Sequence, residues 1–334
     1  MKPIGVGIVG YGFSAQTFHA PFLRELPEFS LRAVSSGKGH DLANVALHPT
    51  AEGVLKESAV ELVVVTVPTH AHFSVVKAAL EAGKHVVVDK PFTATVEEGE
   101  ELLQLAERKG LILSVFQNRR WDGDFLTIKK LLAEGVLGEV LLMESRFDRF
   151  RPTVQPSRWR DQPLPGSGIL FDLGSHLVDQ AFSLFGPPDR VEGSAALQRE
   201  GATAPDYFHL TLHYGVRRVM LRASSVIADV PARFELHGTK GSFVKFGLDP
   251  QEDALKSGVS PLTPGWGREP SSAWGELTLP ALPEGQRVRK VETEAGDYMQ
   301  YYRQLGAAVR QGSPAPVLAS DALQVIRLLE RAQS

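Results

Sequence analysis

Val6-Gly7-Ile8-Val9-Gly10-Tyr11-Gly12-Phe13-Ser14-Ala15 is the stretch on which the reading of the fold turns. A β-type run from Ile4 to Val9 stops at a glycine pair, and Thr17 to Leu26 then carries helical spacing. Gly10 permits a tight turn, Gly12 lets backbone approach a phosphate, and Ala15 is small enough for a helix to pack closely on a strand. The first turn of a helix also offers N–H groups without partners and the positive end of the helix dipole. A glycine pair at a strand end often makes only a turn, so the weight of the motif comes from what surrounds it.

Working outward, further strands read at Leu31–Val34, Leu62–Val67, His85–Val88 and Leu111–Phe116. They alternate with helices at Ser74–Glu81 and Val96–Arg108, the latter closed by Gly110. The run Leu62–Val67 is apolar on both faces, as an interior strand of a parallel sheet should be. Residues 1–120 are therefore predicted to form a doubly wound parallel sheet of Rossmann type that binds a dinucleotide.

The pattern changes beyond that point. A helix is predicted at Phe125–Ala133, a strand at Val140–Phe147, a Pro- and Arg-rich loop at Arg149–Pro165, and one helical stretch at Gly168–Phe185. Successive strands follow from Val191 to Phe246, among them His209–Tyr214, Val219–Ala223 and Phe234–Phe246, the last folded at Gly238-Thr239-Lys240-Gly241. Residues 249–275, rich in Pro, Gly and Ser, read as a surface excursion. A final helix, Asp321–Arg331 with Ser320 or Asp321 as N-cap, is free to pack back on the first domain. The second domain, residues 121–334, is expected to be α/β and to bind substrate.

The 334 residues suit two domains. Apolar content of 43% and charged content of 22% are those of a globular protein. A net charge of −3 gives neither a basic field for nucleic acid nor a polybasic membrane patch. The absence of cysteine excludes disulfides, thiolate catalysis and cysteine-held metals. No charged segment followed by a long apolar run opens the chain, and Leu62–Val67 is far shorter than the ~20 residues of a membrane span. A small-molecule enzyme of the cytoplasm, without nucleic-acid or membrane partners, is the expectation.

The second strand ends Val34-Ser35-Ser36-Gly37-Lys38. Sites that take NAD place Asp or Glu there, ~20 residues beyond the glycines, to bond the ribose hydroxyls. Here two hydroxyls and a cation stand instead, groups that suit a 2′-phosphate. NADP is the favoured cofactor and NAD the alternative; an ordinary polar loop would read the same way.

From Val87-Val88-Asp89-Lys90-Pro91 onward the chain resembles the glucose–fructose oxidoreductase/inositol dehydrogenase (Gfo/Idh/MocA) family, which carries Glu-Lys-Pro at this point. Asp89 is a shorter carboxylate than the family's. Val67-Pro68-Thr69-His70-Ala71-His72 resembles the family's loop past the nicotinamide, and Asp172-Leu173-Gly174-Ser175-His176 its D-x-x-x-H motif. Arg119-Arg120 and Gly238–Gly241 also match. The likeness covers nearly the whole chain. Leu113–Lys130, Asp206–Tyr214 and Gly247–Gly258 resemble the branch of NADP-dependent scyllo-inositol 2-dehydrogenases, and equally that branch's uncharacterised bacterial relatives.

The resemblance implies a C-terminal domain with a large open, mostly antiparallel sheet that packs into homodimers or homotetramers. It also implies hydride transfer at a secondary alcohol of a cyclic polyol or sugar. Lys90 would polarise the oxygen and hold His176 neutral, His176 would move the proton, and Asp172 would orient a hydroxyl. Gly10, Gly12, Phe13, Ser14, Ala15, Ser35, Ser36, Lys38, Val67, Pro68, His72, Asp89, Lys90 and Trp159 would meet the cofactor. Lys90, Asn118, Arg149, Arg151, Asp172 and His176 would meet the substrate.

Each residue also has a plainer reading. Asp172 and His176, four apart on one helical face, could be an internal hydrogen-bonded pair. Lys90 could be a surface lysine, and His72 a cap. Arg149, Arg151, Arg158 and Arg160 around Trp159 could form a solvated basic loop. His209 and His213 on their strand read as structural. No third ligand with suitable spacing joins Asp172 and His176, so no metal is expected. Three other functions stay open: a non-catalytic NADP(H)-sensing regulator, a dehydrogenase or reductase of the same family with a different sugar, and an enzyme of the same fold that uses the cofactor for elimination or transfer with no net redox change.

Overall fold

The first six strands all run the same way. In the computed structural model, which describes residues 2–333, β1 (Ile4–Val9) leads through a π-helical turn, Ala15–His19, into α1 (Ala20–Glu25). Then come β2 (Phe29–Ser35), β3 (Ala46–His48), α2 (Ala51–Lys56), β4 (Leu62–Val65), α3 (His72–Glu81), β5 (His85–Asp89), α4 (Val96–Lys109) and β6 (Leu113–Phe116). The sheet order is β3-β2-β1-β4-β5-β6, parallel throughout. Every residue of β1 and β4 is buried, which explains their uninterrupted apolar runs.

Local sequence fixes the ends of α4. Thr95 Oγ1 accepts the Glu98 N–H at its start, Glu98 reaches back to the Ala94 N–H, and Gly110 closes it in the left-handed conformation at φ 63°.

The later elements are α5 (Gly123–Ala133), β7 (Val140–Arg146), α6 (Ser175–Phe185), β8 (Arg190–Ala196), β9 (Tyr207–Tyr214), β10 (Arg217–Ser224), β11 (Phe234–Gly238) and β12 (Ser242–Lys245). They are followed by α7 (Gln251–Lys256), β13 (Gly275–Thr278), β14 (Val288–Val291), α8 (Met299–Gln311) and α9 (Ala319–Gln333). The eight strands lie in the order β14-β13-β12-β11-β7-β10-β9-β8, antiparallel except for the β7–β10 pair. Alternation along them buries one face through Met143, Phe208, Leu210, Val219, Leu221 and Phe234, on which α6 packs, and leaves Met220 exposed on the other; Leu141, beside the irregular pairing at Val140, and Phe246, just past β12, are exposed as well. His209 and His213 belong to the polar pattern of β9, with His213 Nε2 3.1 Å from Glu192.

The chain divides into two compact units. The first runs to Asn118 and takes in Glu252–Pro264 and Tyr298–Arg327; the second holds Arg119–Gln251, Gly265–Asp297 and the segment from Leu328. Three features differ from the sequence reading. The stretch 249–275 is not merely a surface excursion: Asp249 and Gln251 are buried, and Asp249 Oδ2 accepts the Gly123 N–H at the start of α5. Neither Ser320 nor Asp321 caps the last helix, which begins earlier because Leu318 O accepts the N–H groups of Asp321 and Ala322. Helix α8, with Tyr301 and Tyr302 fully buried, was not expected.

Candidate active site

In the first unit the strand order reverses direction between β1 and β4, the crevice where open parallel sheets bind ligands. Gly10 lies there at φ +92°, and a Cβ on it would stand 2.9 Å from Val67 Cγ1 and 3.1 Å from Val67 N. Thr66 Oγ1 fixes the turn by donating to Gly10 O at 2.7 Å. Over Gly12 the space is open: a methyl group placed on it would have Gly10 O, at 3.9 Å, as its nearest neighbour. Gly12 and Phe13 are exposed and Ala15 is buried against the sheet. This is the tight turn with an open floor that a pyrophosphate requires, so the residues present fit a dinucleotide.

The end of β2 separates the roles of its serines. Ser35 is buried and its Oγ accepts the Gly10 N–H at 3.2 Å, so it braces the glycine turn. Ser36 Oγ lies 2.9 Å from His40 Nε2 and accepts the Lys38 N–H at 3.1 Å, while Lys38 itself is exposed. The His40 ring meets the edge of Tyr11, whose hydroxyl accepts a bond from Arg24. His40 was not singled out in the sequence; the glycines on both sides of Lys38, which let the loop fold back on Ser36, were its one signal.

At the end of β5, Asp89 joins the glycine turn to the strand end that Lys90 follows. Ser14 Oγ donates to Asp89 Oδ2 at 2.5 Å, and His19 Nε2 lies 3.0 Å from Asp89 Oδ1. His19 Nδ1 is 2.6 Å from the Tyr302 hydroxyl, whose pKa burial pushes well up. Burial would raise the Asp89 carboxyl, but the charge and hydrogen bond of His19 and the bond from Ser14 outweigh it, and the group sits below its ordinary value. Lys90 is half-buried and followed by a cis peptide to Pro91. His72 is buried, with Nε2 2.9 Å from Val67 O and Nδ1 3.0 Å from Pro91 O. It ties the Val67–Pro68 loop to the Lys90–Pro91 segment, and burial lowers its pKa.

In the second unit the predicted helical stretch divides. Leu170–Gly174 is a π-helical turn and α6 follows it directly. Such turns recur at functional sites. Gly174 lets the turn pack closely, since a Cβ there would already be 3.3 Å from Leu170, Leu329 and Phe208. Asp172 lies on the π turn and His176, buried, opens α6 one turn later. Arg160 Nε donates to Asp172 Oδ1 at 3.1 Å, and Arg149 Nη1 is 3.7 Å from Oδ2. The Arg160 guanidinium stacks on Trp159 at 4.5 Å. Arg151 is exposed on the same loop.

Arg120 makes a two-point ion pair with buried Asp179, at 2.8 and 2.7 Å, one turn beyond His176 on α6. Asn118 is buried at the start of a short turn, Asn118–Trp121. Among the described residues no group of three His, Asp or Glu side chains is arranged to hold a metal ion, and no helix is long and apolar enough to cross a membrane.

A glycine turn at the switch point of a Rossmann sheet defines a dinucleotide-binding protein, and a second α/β unit follows it. The chain belongs to the Gfo/Idh/MocA oxidoreductase family. Residues 4–117 match its NAD-binding Rossmann fold and residues 129–334 its C-terminal alpha/beta domain. The sequence is 40% identical to scyllo-inositol 2-dehydrogenase (NADP(+)) of Bacillus subtilis, over 98% of this chain and 92% of that protein. It is 45% identical to an uncharacterised oxidoreductase of Escherichia coli, YdgJ, over 98% and 94%. The solved oxidoreductase yvaA of Bacillus subtilis superposes with a TM-score of 0.94 at 40% identity, covering 99% of this chain and 95% of that one.

Proposed function

We propose that the protein interconverts a secondary alcohol of a cyclic polyol or sugar and the corresponding ketone, with NADP(H) as cofactor. The observation that carries this reading is the 40% identity, end to end, with a protein named as an NADP-dependent scyllo-inositol dehydrogenase. The nicotinamide supplies the hydride acceptor or donor. Gly10, Gly12 and the N–H groups that follow would hold its pyrophosphate, and the Val67–Pro68 loop would lie toward its nicotinamide. His176 takes the hydroxyl proton in oxidation and returns it in reduction, Asp172 orients a neighbouring hydroxyl, and Lys90 stabilises the negative charge that develops on oxygen.

The preference for NADP rests on Ser36, Lys38 and His40, and on the lack of a carboxylate at the end of β2. A phosphate there gains charge-assisted bonds, which are about twice as strong as neutral ones. Ser35 contributes by holding the turn. We further propose a homodimer or homotetramer in the cytoplasm, formed through the open face of the eight-stranded sheet, where Met220 stands exposed. Light scattering after size exclusion checks the assembly. The activity is tested by following NADPH absorbance with a panel of inositols and sugars, and of their keto forms in reverse. Turnover in proportion to product is the expected result; cofactor binding without redox change on any of them would favour a sensor.

A further inference from the structure

Five guanidiniums and three carboxylates gather around the Arg149–Pro165 loop of the second unit, and the pairing between them is unequal. Arg199, almost fully buried, is spent on two carboxylates: its Nη2 bonds Asp161 and its Nε bonds Asp206, both at 2.8 Å. Its Nη1 also donates to the backbone oxygens of Arg151 and Thr153, which pins the loop in place. Asp172 is shared by Arg160 and Arg149. Arg151 and Arg158 have no ion-pair partner among the described residues.

Both line a cavity of about 290 Å³, together with Thr153, Gln155 and Arg199. A second, narrower space of about 30 Å³ shares Arg151, Arg158, Asp161 and Arg199 as its wall and reaches Arg160 and Asp172. Arg158 is half-buried. Burial weighs most against its charge, and with the repulsion of Arg160 and Arg151 it outweighs the attraction of Asp172 and Asp161. A guanidinium does not lose its proton in a protein. The charge therefore stays in the cavity wall under-compensated, on a loop already ordered by Arg199. That is a preorganised receptor for a carboxylate or phosphate, which planar guanidiniums bind in two-point fashion.

We propose that this cavity is an anion subsite, and that the polyol or sugar turned over at Asp172 carries a carboxylate or phosphate group seated on Arg151 and Arg158. The inference rests on the oxidoreductase reading above and narrows its substrate class to acidic sugars and phosphorylated polyols. The anion belongs to the substrate and not to the cofactor.

Two measurements test it. The first compares kcat/KM within matched pairs: galactose and galacturonate, glucose and glucuronate, inositol and an inositol monophosphate. The acidic member of at least one pair should be favoured about tenfold or more, and less so at high salt. In Arg158→Gln and in Arg151→Gln that ratio should fall toward one, with circular dichroism confirming that each variant is folded. A neutral member preferred in every pair would overturn the proposal. Absence of turnover in all pairs would count against the oxidoreductase reading instead, and the second measurement then decides. Inorganic phosphate is titrated calorimetrically into protein saturated with NADPH, so that the cofactor's own phosphate sites are filled. Binding that weakens about tenfold in Arg158→Gln supports the subsite. No binding in the presence of NADPH, or binding unchanged in the variant, overturns it.

Discussion

Ser14, the fifth residue of the glycine turn, donates its hydroxyl proton to Asp89 at 2.5 Å, and so ties the phosphate-binding turn to the residue before Lys90. The bond spans 75 positions of sequence and joins the ends of β1 and β5. Ser14→Ala should lower stability by about 1.5 kcal/mol, the range for a hydrogen bond to a charged acceptor. It should also weaken NADPH binding, because the turn loses a support. Ser14→Thr, which keeps the hydroxyl, should recover most of both. Urea unfolding and a fluorescence titration of NADPH provide the numbers; equal losses in the two variants would show that the hydroxyl is not the cause.

The carboxyl of Asp249 gives a dependence on pH. Burial raises its pKa to about 6, with the charge of Asp124 adding to the effect and the N–H groups of Gly123 and Gln251 opposing it. The folded state therefore holds this proton to higher pH than the unfolded chain. Its contribution to stability is fully present below about pH 4, falls between about pH 4 and 6, and is constant above. The total change is on the order of 3 kcal/mol. Asp249→Asn cannot titrate, so the melting temperature of wild type minus that of the variant should be larger at pH 4 than at pH 7. A difference that does not move with pH contradicts this account of Asp249.

How much of this was legible beforehand can be followed residue by residue. The glycine turn was, because strand, turn and helix follow each other within Ile4–Glu25. The large open, mostly antiparallel sheet was anticipated through the family resemblance, and the alternation in β9 and β10 pointed the same way. Strand β3 and helix α2, three and six residues long, are too short to show a period. Helix α8 buries its tyrosines, whose hydroxyls make the pattern look polar, and its partner for Tyr302 is His19, 283 positions away. The π turn at Asp172 keeps residues four apart on nearly one face, so spacing alone does not distinguish it from an α-helix. The pairings of Asp89 with Ser14 and His19, and of Arg199 with Asp161, arise only when segments distant in sequence meet, whereas His40 reaches Ser36 through a local turn four residues long.

His176 is assigned the proton transfer. His176→Ala should lower kcat by about 10²–10⁴, the range for a general acid–base group, while NADPH affinity stays within a few-fold. Stopped-flow turnover beside a cofactor titration separates the two. Turnover close to that of the wild type would remove His176 from the chemistry.

Lys90→Met keeps much of the aliphatic stem and removes the charge. The expected result is a large fall in the single-turnover rate with the circular dichroism spectrum unchanged. A variant that loses its fold, with no kinetic defect separable from that loss, would make Lys90 a structural residue.

The most direct test of the whole account is a rate measurement with both cofactors. Polyols and sugars are oxidised in parallel with NADP and NAD by wild type and by Ser36→Asp, which places a carboxylate where a 2′-phosphate would lie while leaving the Ser35 brace intact. The account predicts reduction of the cofactor in proportion to ketone formed, a higher kcat/KM with NADP in the wild type, and a preference moved toward NAD in the variant. It also predicts a wild-type preference that weakens as ionic strength rises, since Lys38 is exposed. A wild type that favours NAD, or that reduces neither cofactor with any polyol or sugar, would contradict it.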